Sequence, residues 1–158
     1  MKIRLAVNQV PLVGYVNIDP APQKSVQDEV VHIRDIKNLH GVCEQSECTE
    51  VRAEDVLDFI PLEQLGNVLA GWTYALRHGG KLVIGGTDAM SVSRAYLSGD
   101  INTQEYNELI HGVGLHPWSM KSGQVNMSEL SEVLEQLGLQ VIKKRFNGFK
   151  MTVEAIRP

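Results

Sequence analysis

The sequence predicts an α/β fold: a mostly parallel sheet with a C-terminal antiparallel hairpin and shortened first crossovers. Three observations predict it. Short strand-like segments lead into an amphipathic helix and then a near-continuous apolar run, the βαβ order of a parallel sheet. Residues 139–155 alternate around Asn147-Gly148, a hairpin signature. Finally, 158 residues with 43% hydrophobic and 22% charged content fit one domain, 1–158. They are few for a doubly wound enzyme with full crossover helices.

The elements follow in chain order. Ile3–Val7 alternates and reads as a first strand. Gly14–Asp19 is a second, stopped by Pro20 and Pro22. Glu29–Ile33 is a third, and Thr49–Ala53 a weaker fourth because it carries two charges. Leu82–Gly86 is a fifth, whose apolar run suits a central strand covered on both faces. A helix over 62–77 places Leu62, Leu65, Val68, Leu69, Trp72 and Leu76 at helical spacing, with Pro61 near its first turn. Gly79 is its expected left-handed cap, with Arg77 and His78 at its negative end. Asn102 with Glu105, and Asn126 with Glu129, form capping boxes that open two more helices. The second of these carries Leu130, Val133, Leu134 and Leu137 on one face and closes at Gly138. Leu139–Phe146 is a strand, Asn147-Gly148 a type I′ turn, and Phe149–Ala155 the returning strand.

A parallel crossover normally needs about a dozen residues or more. Val7 to Tyr15 is too short for one and contains Pro11, and Pro20 to Glu29 has room for two turns at most. One sheet face is therefore expected to be thinly covered near its first strands. Such a face invites a partner, and self-association into a homo-oligomer is one reading of it.

Composition excludes several classes. No apolar run approaches the ~18 residues of a membrane span, and the N-terminal apolar stretch is too short for a signal peptide. A net charge of −4 offers no footprint for nucleic acid. Lys143-Lys144-Arg145 reads as a solvated strand end. Cys43 and Cys48 form a single C-x4-C pair, weak as a zinc signal, and are expected to be reduced thiols in a cytoplasmic protein. No metal site is expected. Gly79-Gly80 precedes its strand and Gly85-Gly86 lacks a G-x-G-x-x-G pattern, so no nicotinamide site is expected either. There is no Walker lysine, nucleophile elbow or H-E-x-x-H.

Met1–Pro20, MKIRLAVNQVPLVGYVNIDP, resembles the opening of compact class I S-adenosylmethionine-dependent methyltransferases, where LGCGN precedes PLPGYVNIDP. Val51–Asp88 resembles the family's ASHVLEHIP…GGKLVI segment. Tyr96–Gly112 and Met120–Lys144 resemble the segments that follow, so the similarity covers nearly the whole chain. It implies a Rossmann-like class I methyltransferase sheet and S-adenosylmethionine as cofactor.

The resemblance also implies site residues. Asp19, ending the second strand, stands where a carboxylate binds the ribose hydroxyls, a charge-assisted pairing; by spacing alone, a turn before Pro20 explains it equally well. Asp35 stands where an acid faces the adenine amino group, or is a solvated loop acid. The backbone at Ala53 and Glu54 passes the methionine moiety. In the first loop Ala6, Val7, Asn8 and Gln9 stand at the family's G-x-G. Ala6 is the smallest replacement, and Asn8 is among the few residues that visit the left-handed region readily.

Methyl transfer works largely by in-line placement, so a general base is optional. Glu54, Asp55, His111 and His116 are the candidates near the expected site; for each, a surface or capping role competes. Trp118, beside Pro117, is either a lid over a substrate or a core-edge anchor. The function expected is methyl transfer to a small-molecule or glycan-like acceptor. The alternative is a methyltransferase-like binding or assembly module that has lost cofactor binding, and the Ala6–Gln9 loop divides the two.

Overall fold

Alternation along the strands decides which side of the sheet is dry. In the computed structural model, which describes residues 1–24, 31–114 and 117–158, the strands are β1 (Lys2–Leu5), β2 (Val16–Ile18), β3 (Val31–His32), β4 (Cys48–Ala53), β5 (Leu76–Thr87), β6 (Gln140–Asn147) and β7 (Lys150–Ile156). They form one sheet in the order β3-β2-β1-β4-β5-β7-β6. All neighbours from β3 to β5 are parallel, and β7 runs antiparallel to both β5 and β6. The mostly parallel sheet with a reversed C-terminal strand is thus as expected. The expected third strand begins at Glu29 and Val30, which lie outside the described residues.

Ile3, Val51, Leu82 and Ala155 lie side by side in register, as do Ala53, Ile84 and Val153. These residues form the core together with inward residues of α1 (Leu62–Ala75) and α4 (Met127–Gln136), notably Leu65, Leu69, Trp72, Leu130 and Leu134. Both helices therefore pack on one face. Two further helices, α2 (Ala89–Ser98) and α3 (Thr103–His111), make a small second core with Val92, Ala95 and Ile101, against which Phe149 packs.

The opposite face carries no helix among the described residues, yet Leu82–Gly86 of β5 is buried on both sides, Val83 included, as its apolar run implies. Its rows, read across the strands, run Lys2, Glu50, Lys81 and then Arg4, Arg52, Val83, Glu154, Lys143. Each carboxylate has a cation beside it. Arg52 bonds Glu50 at 3.0 Å and Glu54 at 3.2 Å, and Glu154 takes Arg145 at 2.8 Å and Lys81 at 3.8 Å. The Tyr15 hydroxyl donates to Glu50 at 2.8 Å. Burial works against the charge on Glu50, but the Tyr15 hydroxyl and the Arg52 guanidinium outweigh it and hold its carboxyl below the usual carboxylate range.

Near β2 this face is covered by the β1–β2 connection rather than by a helix. The Asn17 amide donates to the carbonyls of Leu12 and Tyr15 and accepts from Leu12 N–H at 2.8 Å. Asn17 and Glu50 are buried beneath that cover, more closely than the short crossovers imply. The strand rows of the face are polar, while the connection that covers it exposes Val10 and Val13.

Three local expectations need correction. Helix α1 ends at Ala75 with Leu76 as its cap, because Leu76 leaves the helix to pair with Cys48; Gly79, at φ 74, instead bends the bulged start of β5. At the hairpin Asn147 pairs with Lys150, so the two loop residues are Gly148 and Phe149, and only Gly148 has positive φ, at 60°. That is the pattern of a type II′ turn with glycine first, not a type I′ turn on Asn147-Gly148. Helix α2 has no counterpart among the expected elements, although Asp88 caps its start and Gly99, at φ 80, its end. Both capping boxes form as expected, Asn102 with Glu105 and Asn126 with Glu129.

Candidate functional site

Ligands of open α/β sheets bind beyond the carboxyl ends of the strands, where the strand order reverses. Here the reversal lies between β1 and β4, and the loops after β1, β2 and β4 meet that edge.

Ala6 and Val7 are buried, and Val7 turns into the core. Asn8 has φ 55, the left-handed conformation that glycine adopts freely and asparagine tolerates. Gln9 N–H then donates to Asp19 Oδ2 at 3.2 Å, and Ala21 N–H donates to Asp19 Oδ1 at 2.8 Å. Arg4 clamps the same loop from the polar face, donating to Val10 O at 2.7 Å and Gln9 Oε1 at 2.6 Å. The structure therefore brings Ala6, Asn8 and Asp19 together. Both Asp19 oxygens carry a backbone donor, and the residue is 2% exposed.

Other candidates are placed differently. Asp35 takes Lys37 N–H at 2.9 Å and pairs with Lys37 Nζ at 3.7 Å, in a loop anchored to α1 by Trp72 Nε1–H on Ile36 O. Its bonds do not run to the Asn8–Asp19 loop. Ala53 ends β4 facing the core, and Glu54 faces the polar side, held by Arg52. Asp55 has φ 59 and pairs with Lys150 at 2.8 Å. His111 sits exposed at the end of α3, with its carbonyl accepting from Lys121 N–H. His116 lies outside the described residues. Trp118 packs at the edge of the core with its ring 6.5 Å from that of Phe59.

Sequence reading missed a buried polar knot beyond β5. Asp58, in a 3-10 turn at Leu57–Phe59, accepts from Thr87 N–H at 3.1 Å and from Thr87 Oγ1 at 2.7 Å. Lys121 Nζ lies 3.1 Å from Asp58 and also donates to Thr87 Oγ1 and Leu109 O. Gly86 makes this possible: a Cβ there would meet Leu57 Cβ at 2.8 Å, so only glycine lets the turn settle on the sheet. Gly85 packs as closely, since a Cβ there would meet the Met151 carbonyl oxygen. Asp88 serves two helix starts, accepting from Ser91 N–H on α2 and from Met127 N–H on α4. Only the Asp88 cap had a local signal, an acid three residues before Ser91.

The strand order and the reversed strand are those of the class I methyltransferase fold, which this chain has. An O-methyltransferase family protein from Burkholderia thailandensis superposes with a TM-score of 0.55 at 17% identity, over 80% of this chain and 35% of that one. A 1,6-didemethyltoxoflavin-N1-methyltransferase from the same organism, solved with 1,6-didemethyltoxoflavin and S-adenosylhomocysteine bound, gives 0.54 at 13% identity, over 80% of this chain and 50% of that one. A protein from Pyrococcus horikoshii gives 0.62 at 12% identity, over 92% and 73%. The chain thus spans a third to a half of the two named methyltransferases. Comparison with protein-family models and with curated protein sequences finds no match. Among the described residues no His, Cys, Asp or Glu cluster suits a metal, and no helix is long and apolar enough to cross a membrane.

Proposed function

We propose that this chain binds S-adenosylmethionine at the β1–β4 switch point and directs methyl transfer to a small-molecule acceptor. One observation carries the reading: Asn8 at φ 55 gives the loop after β1 the turn that glycine gives the resembling family, next to the acid that ends β2. That turn supports a backbone path suited to the cofactor. In this reading the Ala6–Gln9 backbone holds the carboxypropyl end, Asp19 the ribose, Ala53 and Glu54 the methionine moiety, and Asp35 the adenine edge. An ionised carboxylate accepts about four hydrogen bonds, so Asp19 has capacity left, but Gln9 or the Pro20-Ala21 turn must move to admit hydroxyls. The bound cofactor supplies an electrophilic methyl group on a sulfonium. The chain supplies placement, which is worth up to ~7–11 kcal/mol of a bimolecular barrier. Glu54 and Asp55 are each ion-paired, so the reading assigns the rate to positioning and gives neither the role of base.

The 1,6-didemethyltoxoflavin bound by the Burkholderia N1-methyltransferase supports a small-molecule acceptor; a glycan-like acceptor stays within the reading. Two free thiols, Cys43 and Cys48, suit the reducing cytoplasm.

Calorimetric titration with S-adenosylhomocysteine tests the proposal. Micromolar binding that Asp19→Ala abolishes is the expected result. No heat at near-millimolar ligand overturns it and favours a second reading, a methyltransferase-like module that has lost the cofactor. The closed state of Asp19, with both oxygens already bonded, is the observation behind that second reading.

A further inference from the structure

We infer that a cavity beside the turn after β4 is a binding site for a neutral planar aromatic ring; on the function proposed above, that ring is the methyl acceptor. The cavity measures about 290 Å³ and is lined by Lys37, Phe59, Pro61, Trp118, Met120 and Ser122. Small-ligand pockets begin near ~300 Å³, so the space suits one or two fused rings. Phe59 ends the 3-10 turn that directly follows β4, on the carboxyl edge where Glu54 lies.

The walls favour a flat ring. Phe59 and Trp118 are each half-buried, and their planes tilt by 59°, so they form a corner. A ring stacked on one meets the other edge to face, both favoured geometries. Met120, 55% exposed at the same concavity, is a flexible, polarizable side chain suited to closing over an aromatic. The corner is held in place beforehand: both rings pack against the core, and the strand of chain after Met120 is fixed by Lys121 on Asp58 and by Ser122 N–H on Asp58 O at 2.7 Å.

Charge and polarity narrow the ligand. Lys37 Nζ is 3.7 Å from Asp35 and 3.5 Å from Gln64 Oε1, so its charge is compensated and does not call for an anion. Among the described residues, Lys37 and Ser122 are the only polar side chains in the lining. A pyranose would leave most of its hydroxyls without partners there, which disfavours a sugar.

The probes are 2-naphthol and methyl β-D-glucoside, followed by saturation-transfer NMR and by tryptophan fluorescence. Trp72 is fully buried and outside the lining, so the part of the quenching, corrected for naphthol absorption and emission, that Trp118→Ala removes reads Trp118. The expected result is sub-millimolar 2-naphthol binding with quenching, no competition from the glucoside, and at least a tenfold loss of affinity in Trp118→Ala. If Trp118→Ala fails to fold by circular dichroism, Met120→Glu, at an exposed position, replaces it and is expected to lose at least threefold. No naphthol binding at millimolar ligand, equal competition by the glucoside, or unchanged affinity in the folded variants overturns the inference. S-adenosylhomocysteine titrated into the same samples separates the two claims: naphthol binding without it retains this site and removes the cofactor, and the converse does the reverse.

Discussion

The backbone N–H of Gln9 lies 3.2 Å from Oδ2 of Asp19, so the acid that ends β2 holds closed the loop that follows β1. With Ala21 N–H on the other oxygen, one nearly buried carboxylate fixes two chain segments. Replacing it by alanine strands two donors. Asp19→Ala is expected to lose ~2 kcal/mol in urea unfolding, in addition to its effect on ligand binding. An unchanged midpoint would show that the loop is held by other contacts.

Asn8 occupies a left-handed conformation, and its substitutions should follow backbone tolerance. Asn8→Gly is expected to be near neutral in stability, whereas Asn8→Val should cost ~1–2 kcal/mol. The double variant Ala6→Gly with Asn8→Gly removes both side chains from the cofactor's path. It should bind S-adenosylhomocysteine roughly tenfold more tightly, about 1.4 kcal/mol. Weaker binding by the double variant would show that these side chains do not obstruct the cofactor.

Lys121 and Asp58 form an ion pair at 3.1 Å with both side chains largely buried. Removing one partner leaves an uncompensated charge in a poorly solvated place. Lys121→Met is expected to cost ~3 kcal/mol by chemical denaturation, and Thr87→Val less, about 1 kcal/mol. A loss for Lys121→Met below that for Thr87→Val would place the pair among solvated surface bridges.

Glu50 is 8% exposed, and its carboxyl is held below the usual range by Tyr15 and Arg52 against its burial. A folded-state value below the unfolded one means that its contribution is complete above the ordinary glutamate value of ~4.3 and is lost as pH falls through the lower folded value. Melting temperatures from pH 6 down to pH 3 should therefore fall more steeply for the native chain than for Glu50→Gln. Parallel curves would remove Glu50 from the acid response.

Burial pushes the Cys48 thiol up to about 12 and raises that of Cys43. The stability linked to Cys48 is complete below the ordinary thiol value of ~8.5 and drains as pH rises toward 12. At pH 8 a disulfide reagent should modify the half-buried Cys43 slowly and Cys48 only on unfolding. Equal rates for the two thiols would contradict the burial of Cys48.

What was legible in the sequence was whatever is written over short spans. Asn102 with Glu105 and Asn126 with Glu129 need only three residues of separation, and both boxes form. The hairpin was visible, but its turn slipped by one residue because Asn-Gly fits a type I′ loop while the register pairs Asn147 with Lys150. Helix α2 went unread, since its outer residues Met90 and Leu97 are exposed and blur the amphipathic pattern. At the site, Asn8 and Asp19 could be placed from local order, whereas Asp58, Thr87 and Lys121 meet only through the fold. Nothing in their sequence neighbourhoods pairs residues so far apart.

The polar face of the sheet also bears on how the chain avoids misfolding. Because strand side chains alternate, shifting β4 or β5 by one residue against its neighbours would drive Arg52 or Lys81 into the core and turn Val51 or Leu82 to water. A strand that is apolar on both sides suffers no such reversal. Lining the polar side of β1 and β4 with paired charges thus penalises a single-step mispairing of these strands twice, and the polar rows become part of what makes the strand alignment unique.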